Sequence, residues 1–249
     1  MKTVVFTFDD GIRTHYDLVR PLLKEHGMKG TFFIPGVRTM WAKRMKWIRE
    51  NDGYDMQEGP MEWHEIRQMD EEGFEMANHT VSHPNMCSKS VDVNRLEVEG
   101  MNDQFAANGV TTPETFCYPG YHADKATRDL LASLGFKFAR IGYLINDFQR
   151  GEPAGGNRPE NRPERRYYVP GESDPLLVNS TGILNDWYGF EEFRKDVEEA
   201  PEGVISVFTA HGFARKARWT EFEKMVNYLS DNGHQAINFR DMPLESVAE

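Results

Sequence analysis

Two adjacent carboxylates end the first apolar run of the chain, where Asp9 and Asp10 follow Val4, Phe6 and Phe8 in "TVVFTFDDG". Like charges side by side at the mouth of an apolar strand repel each other and lose hydration, so each needs a partner. Downstream, "HTVSH" spaces His79 and His83 four apart, which puts two imidazoles on one side of a helical turn or tight loop, within reach of a single ion. Pro84 keeps this pair out of the interior of a long helix. Two histidines and one carboxylate form a ligand set for a catalytic divalent ion with open coordination positions. With Asp10 as that carboxylate, Asp9 is left as a base toward water whose pKa the ion lowers. A third stretch, "VISVFTAHG", ends in His211, a position suited to a general acid. Each feature also has a purely structural alternative: Asp10 capping a helix that begins near Tyr16, histidines that only pack, and His211 capping the helix that follows it.

The elements that must position these residues are legible as strand-like runs. They fall at Thr3 to Phe8, Gly30 to Ile34, Phe74 to Asn78, Glu114 to Tyr118, Phe136 to Ile141, Leu176 to Ile183, Val204 to Thr209 and His234 to Asn238. Between them lie stripes at helical spacing: Leu18, Leu22 and Leu23; Val93, Leu96, Met101 and Phe105; Leu130, Leu131 and Leu134. Alternation of strand and helix predicts parallel β-structure with crossover helices, either a barrel or an open sheet. In both, chemistry gathers at the strand C-termini, the end that Asp9, Asp10 and His211 share. The chain reads as a single domain over 1–249, interrupted at 36–60, as a lid or packed insertion, and at about 149–175, a Pro-, Gly- and Arg-rich loop.

Composition narrows the function classes. Lys and Arg number 29 against 40 Asp and Glu, a net charge of −11, which argues against nucleic acid and favours a neutral or cationic substrate over a polyanion. The apolar runs are too short to span a bilayer. No apolar segment with a cleavage site opens the chain, so it reads as cytoplasmic, with a processed secreted form as the alternative. Cys87 and Cys117 provide neither a disulfide framework nor a thiolate zinc site.

Taken together, "TFDDG", "HTVSH" and a late strand ending in His resemble the polysaccharide deacetylase family, the NodB-homology domain of carbohydrate esterase family four. The resemblance implies a distorted (β/α) barrel of about seven parallel strands. It implies Asp9 as catalytic base, Asp10, His79 and His83 as ligands of one divalent metal ion, and His211 as general acid. Zinc is the expected ion, with cobalt or nickel able to substitute. The implied activity is hydrolysis of acetyl groups on a carbohydrate. Hydrolysis of a small amide such as allantoin or a cyclic imide is the alternative, and a catalytically inactive metal- or glycan-binding domain is a third reading.

The chain departs from the family at its third motif, where many members carry Arg-Pro-Pro-Tyr-Gly and this sequence reads "FCYPGYH". Cys117 stands in place of the arginine and cannot hold a carboxylate by a charge-assisted bidentate contact. Tyr118, Gly120 and Tyr121 fall on the substrate side, with a backbone amide of Gly120 or Tyr121 as oxyanion donor. The family's Asp-x-x-Asp-Trp motif has no match, and "FKFARIGY" occupies its place. Arg140 in that stretch is the candidate to replace the missing arginine by contacting Asp9 or the bound carbonyl; the alternative is an arginine that snorkels to a surface carboxylate.

Overall fold

The computed structural model describes residues 1–36, 59–142, 167–184, 188–213 and 215–245. The anticipated lid at 36–60 and the loop at 149–175 therefore lie mostly outside the described residues.

Nine strands form one sheet: β1 (Thr3–Asp9), β2 (Thr31–Ile34), β3 (Glu75–Asn78), β4 (Thr115–Cys117), β5 (Phe138–Arg140), β6 (Tyr167–Tyr168), β7 (Thr181–Gly182), β8 (Ile205–Ala210) and β9 (Gln235–Ile237). Their spatial order is β5-β4-β3-β2-β1-β8-β6, with β7 also on β8 and β9 also on β1. Every pairing is parallel except β6 on β8. The segment 178–182 closes the sheet. Val178 bridges to Arg140 of β5, and Thr181 and Gly182 pair with Phe208 and Thr209 of β8. The result is a barrel whose staves are β1 to β5, this segment and β8. The crossovers carry α1 (Arg20–Glu25), α2 (Trp63–Glu71), α3 (Val91–Ala107), α4 (Lys125–Ser133), α5 (Phe190–Glu199) and α6 (Lys216–Asp231). No described helix is long and apolar enough to cross a membrane.

Period-two alternation sorts the side chains of each strand onto an outer and an inner face. Phe6, Phe8, Phe32, Met76 and Phe208 join the helices in the outer core. Val5, Phe33, Ala77, Cys117, Phe138 and Val207 form the inner one. Two positions beyond Ala77 and Phe138, and four beyond Val5 and Val207, the same inward face carries His79, Arg140, Asp9 and His211. The candidate site thus sits on the inner core at the C-terminal rim, held by the strand register itself. Glu75, at the start of β3, is buried and accepts from Thr31 Oγ1 at 2.7 Å, Thr115 Oγ1 at 2.5 Å and the Arg240 amide at 2.9 Å. Burial raises its pKa.

Four expectations need correction. The chain after Asp10 does not enter a helix capped by that residue: a π-turn over His15–Val19 precedes α1, and its N-cap is Thr14. The run at 176–183 is not one strand; Pro175–Leu177 is a 3₁₀ turn started by Pro175, and only Thr181–Gly182 pairs. In α3, Val93 and Leu96 are exposed, Leu96 at 71%, and the buried face is Asn94, Val98, Met101 and Phe105. Buried Asn94 belongs there because its Nδ2 donates to the Met86 carbonyl at 2.9 Å, which an apolar-only pattern hides. Part of the loop at 149–175 is β6, joined to the sheet by its antiparallel pairing with β8.

Candidate active site

Strand β1 delivers Asp9 inward, and a left-handed turn then redirects the chain. Asp10 has φ 75° and Gly11 φ 58°, which lets consecutive carboxylates serve different partners. All five described non-glycine residues with positive φ lie in or beside the site: Asp10, Thr80, His83, Tyr121 and Leu184. Such conformations cost free energy and cluster where surrounding structure imposes them for function.

Within "HTVSH" the imposing groups are visible. Asn78 Oδ1 accepts from the Thr80 amide at 2.8 Å, and Thr80 Oγ1 accepts from the His83 amide at 3.0 Å. His79 Nδ1 lies 2.8 Å from the Cys117 carbonyl. A carbonyl only accepts, so Nδ1 carries the proton and Nε2 presents its lone pair. That Nε2 and the His83 Nε2 each lie 3.6 Å from Asp10 Oδ1, with all three donor atoms within 4.8 Å of one another. Converging lone pairs and a carboxylate, with His79 oriented by a backbone carbonyl, are a donor set that fits a divalent ion.

Asp9, His79 and Cys117 make a second such group, but a cation already occupies it. Arg140 Nη2 reaches Asp9 Oδ1 at 2.7 Å and Oδ2 at 2.6 Å, and lies 2.6 Å from Cys117 Sγ. Because both groups would use His79, the guanidinium beside Asp9 directs an ion to Asp10 and His83. Arg140 is fully buried rather than snorkelling. Its Nη1 donates to Ser180 Oγ at 2.9 Å, that hydroxyl donates to the Ile141 carbonyl, and the guanidinium stacks between the rings of Phe33 and Tyr121. Burial alone would raise the Asp9 pKa; Arg140 overrides it and holds the carboxyl down at about 2.

His211 follows β8 and lies at the mouth, its side chain 40% exposed, with Nε2 at 3.8 Å from both Asp9 Oδ2 and Asp10 Oδ2. Its carbonyl lies 2.9 Å from Nε2 of His15, which is wholly buried against Phe8, Phe32 and Phe213. Burial pushes the His15 pKa down to about 4, so the ring is neutral and donates from Nε2. Next to it, Thr14 Oγ1 accepts from the Phe213 amide at 3.2 Å. Thr14 and His15 thus latch the β8 loop to the β1 loop. Sequence reading missed both, and Ser180 as well, since their partners are backbone groups or residues distant in sequence.

The remaining predicted residues divide. The structure brings Asp9, Asp10, His79, His83, His211 and Arg140 together. The Tyr118 side chain points away into the core, its hydroxyl donating to the Leu176 carbonyl at 3.1 Å. The Tyr121 amide is spent on the Tyr118 carbonyl at 2.9 Å, which leaves the exposed Gly120 as the amide of the pair for a substrate oxygen. The Tyr121 ring packs so closely on Gly142 that a Cβ there would meet it at 2.6 Å.

A parallel barrel with carboxylates and imidazoles gathered at its C-terminal rim has its polar groups where α/β barrels carry their active sites. The sequence matches the family described as Polysaccharide deacetylase over residues 1–139, more than half of the chain, and the chain belongs to that family. Peptidoglycan-N-acetylmuramic acid deacetylase PdaA of Bacillus subtilis (strain 168) is 28% identical over 104 residues, covering 41% of this chain and 32% of that protein's length. A family 4 carbohydrate esterase from Streptomyces lividans, solved in complex with acetate, shares the fold at TM-score 0.60 and 17% identity, over 99% of this chain and 97% of that one. BA3943 from Bacillus anthracis, a CE4 family pseudoenzyme, does so at TM-score 0.57 and 15% identity, over 99% and 67%. The fold is the expected distorted (β/α) barrel.

Proposed function

We propose that the protein is a metal-dependent hydrolase that removes acetyl groups from an N-acetylated carbohydrate. The carrying observation is a division of labour between neighbours: Asp10 converges with His79 and His83, whereas Asp9 is held out of that trio by Arg140. Asp10, His79 and His83 would hold a divalent ion, which would supply Lewis-acid polarisation of the acetyl carbonyl and a lowered pKa for water. Asp9, ionised throughout the working pH range, accepts the proton of the attacking water, with both its oxygens fixed by Arg140. The Gly120 amide faces the oxygen that gains charge. His211 returns a proton to the leaving amine, its backbone pinned by His15. Retention of both Asp9 and His211 supports an active enzyme over a pseudoenzyme, because a binding module needs neither base nor acid. The name of the PdaA relative supports an amino-sugar substrate over allantoin or a cyclic imide.

The test is metal content followed by acetate release from chitooligosaccharides, acetylated xylan and peptidoglycan fragments, with allantoin and succinimide alongside. The expected result is one divalent ion per chain and acetate from an amino-sugar substrate, both lost in His79→Ala. Full metal and activity in His79→Ala would refute the ligand set; turnover of allantoin or succinimide alone would refute the substrate class.

A further inference from the structure

The loop that joins the two histidines of the metal trio has the backbone amides of Thr80, Val81, Ser82 and His83 all engaged. Asn78 Oδ1 and Thr80 Oγ1 accept from the first and the last. The acceptors of the middle two lie outside the loop, and both belong to Glu97 of α3. Its carbonyl accepts from the Val81 amide at 3.2 Å. Its carboxylate brackets Ser82, with Oε2 accepting from the amide at 2.7 Å and Oε1 from the hydroxyl at 2.6 Å. Ser82 is exposed, so water competes for both donors. A charged acceptor that takes the two at once holds them more strongly than a neutral one.

The contact between α3 and this loop is close along its length. Asn78, just before His79, donates from Nδ2 to the Val98 carbonyl at 2.9 Å and to Asn102 Oδ1 at 2.8 Å. Val81 is wedged between two glycines. A Cβ at Gly100 would meet its Cγ2 at 3.2 Å, and a Cβ at Gly36 would lie 3.1 Å from its Cα. Glycine inside a helix is unfavourable by propensity, and the approach of Val81 accounts for this one. Helix α3 is thus a template against which the loop is shaped.

The loop needs such a template because its backbone is strained. Thr80 at φ 66° and His83 at φ 50° are non-glycine residues in the left-handed region, a conformation that costs free energy. Released from α3, the loop would relax and carry His83 Nε2 away from His79 Nε2 and Asp10 Oδ1. An ion would then have to reorder it, and apparent affinity would fall with the fraction of chains already in the ligating form. Glu97 belongs to neither group of residues whose donor atoms converge. We infer that Glu97 is a positioning residue of the metal centre: through Ser82 it holds His83 in ligating geometry before an ion arrives, and so sets metal affinity. This rests on the ligand set proposed above and adds what keeps that set ready.

The experiment strips the full chain of metal and titrates it with zinc against a chromophoric chelator, and with cobalt by visible absorption, at a temperature where circular dichroism shows each protein folded. It compares the wild type with Glu97→Ala, Glu97→Gln, Ser82→Ala, Glu99→Ala and His83→Ala. Glu99 is the control for charge alone, since it is exposed on the same helix and pairs with Arg95. Expected is a zinc Kd weakened about 10–100-fold in Glu97→Ala, the range typical of groups that orient a ligand. Ser82→Ala, which deletes one arm of the bracket, should lose less, and it gives the reading should Glu97→Ala not fold. Glu97→Gln should recover most of the loss, because its carboxamide still accepts from the Ser82 amide and can donate to the hydroxyl. Glu99→Ala should stay within about 2-fold of the wild type. Cobalt band positions at saturation should be those of the wild type in all four, since the ligands are unchanged. Wild-type affinity in Glu97→Ala, an equal loss in Glu99→Ala, or shifted cobalt bands in Glu97→Ala overturns the inference and leaves the ligand set standing. Wild-type affinity in His83→Ala overturns the ligand set, and the inference with it.

Discussion

The two sides of the site follow the family pattern to different degrees. On the β1 and β3 side, Asp9, Asp10, His79 and His83 occupy the motif positions of the resemblance, and their geometry follows from strand ends and one short loop. On the β4 and β5 side the arginine motif is absent from β4, yet a guanidinium still grips Asp9 from β5. Register explains how: Cys117 and Arg140 are direct partners across the β4–β5 pair, so one charge has moved to the adjacent stave and Cys117 makes room for it. A barrel rim constrains where a functional group arrives, not which strand sends it.

The comparison is broken most severely by removing the relocated charge. Arg140→Met leaves Asp9 buried without its cation, and stability should fall by about 3–5 kcal/mol in denaturant titration, with loss of turnover. Moving the charge back, in a Cys117→Arg, Arg140→Cys double variant, should recover a substantial part of both if register is what matters; no recovery would show that β5 supplies more than position.

Asp9→Asn tests the seam between the two sides. Metal content should stay stoichiometric while kcat drops about 10²–10⁴-fold, since the amide cannot accept a proton. Near-normal turnover would remove Asp9 from the chemistry.

The latch gives a third, pH-dependent prediction. The His15 pKa is about 4 folded against 6.5 as a free side chain. Between these values the unfolded chain binds a proton that the folded one does not, so stability falls as pH drops from 6.5 towards 4, by up to about 3 kcal/mol. His15→Gln, which keeps a donor for the His211 carbonyl, should flatten that acid limb of the stability profile. The smallest effect is expected from Cys117→Ser, about 1 kcal/mol or less, because the group contacting Arg140 changes but the Asp9 pairing stays.

What the sequence revealed and what it hid divide along a physical line. Strands and their catalytic ends were legible because alternation and motif spacing are local properties, and Arg140 was legible because a buried strand ends on it. The break at 176–183 and the buried Asn94 were not, since a 3₁₀ turn after Pro175 and a bond to the Met86 carbonyl fall outside an apolar-only pattern, and the short β6 was not, since its partner strand lies far along the chain. The same holds for His15, whose acceptor is 196 residues away. Tyr118 and Tyr121 looked alike in "YPGY", and only the left-handed turn between them sends one to the core and the other to the site.

The topology also dictates an order of assembly. Thr3, Val4 and Val5 of β1 are flanked by Ile205 to Val207 on one side and by Gln235 to Ile237 on the other, while β2 reaches only Thr7 to Asp9. During synthesis β1 therefore waits for β8 and β9, made about two hundred residues later. A nascent chain stalled before residue 205 carries Val4, Val5 and Phe6 as an apolar edge with no neighbour, the kind of exposed surface that chaperones bind and that aggregates nucleate on. Closing the barrel depends on β8 and β9, and cellular yield depends on how long that edge is kept covered.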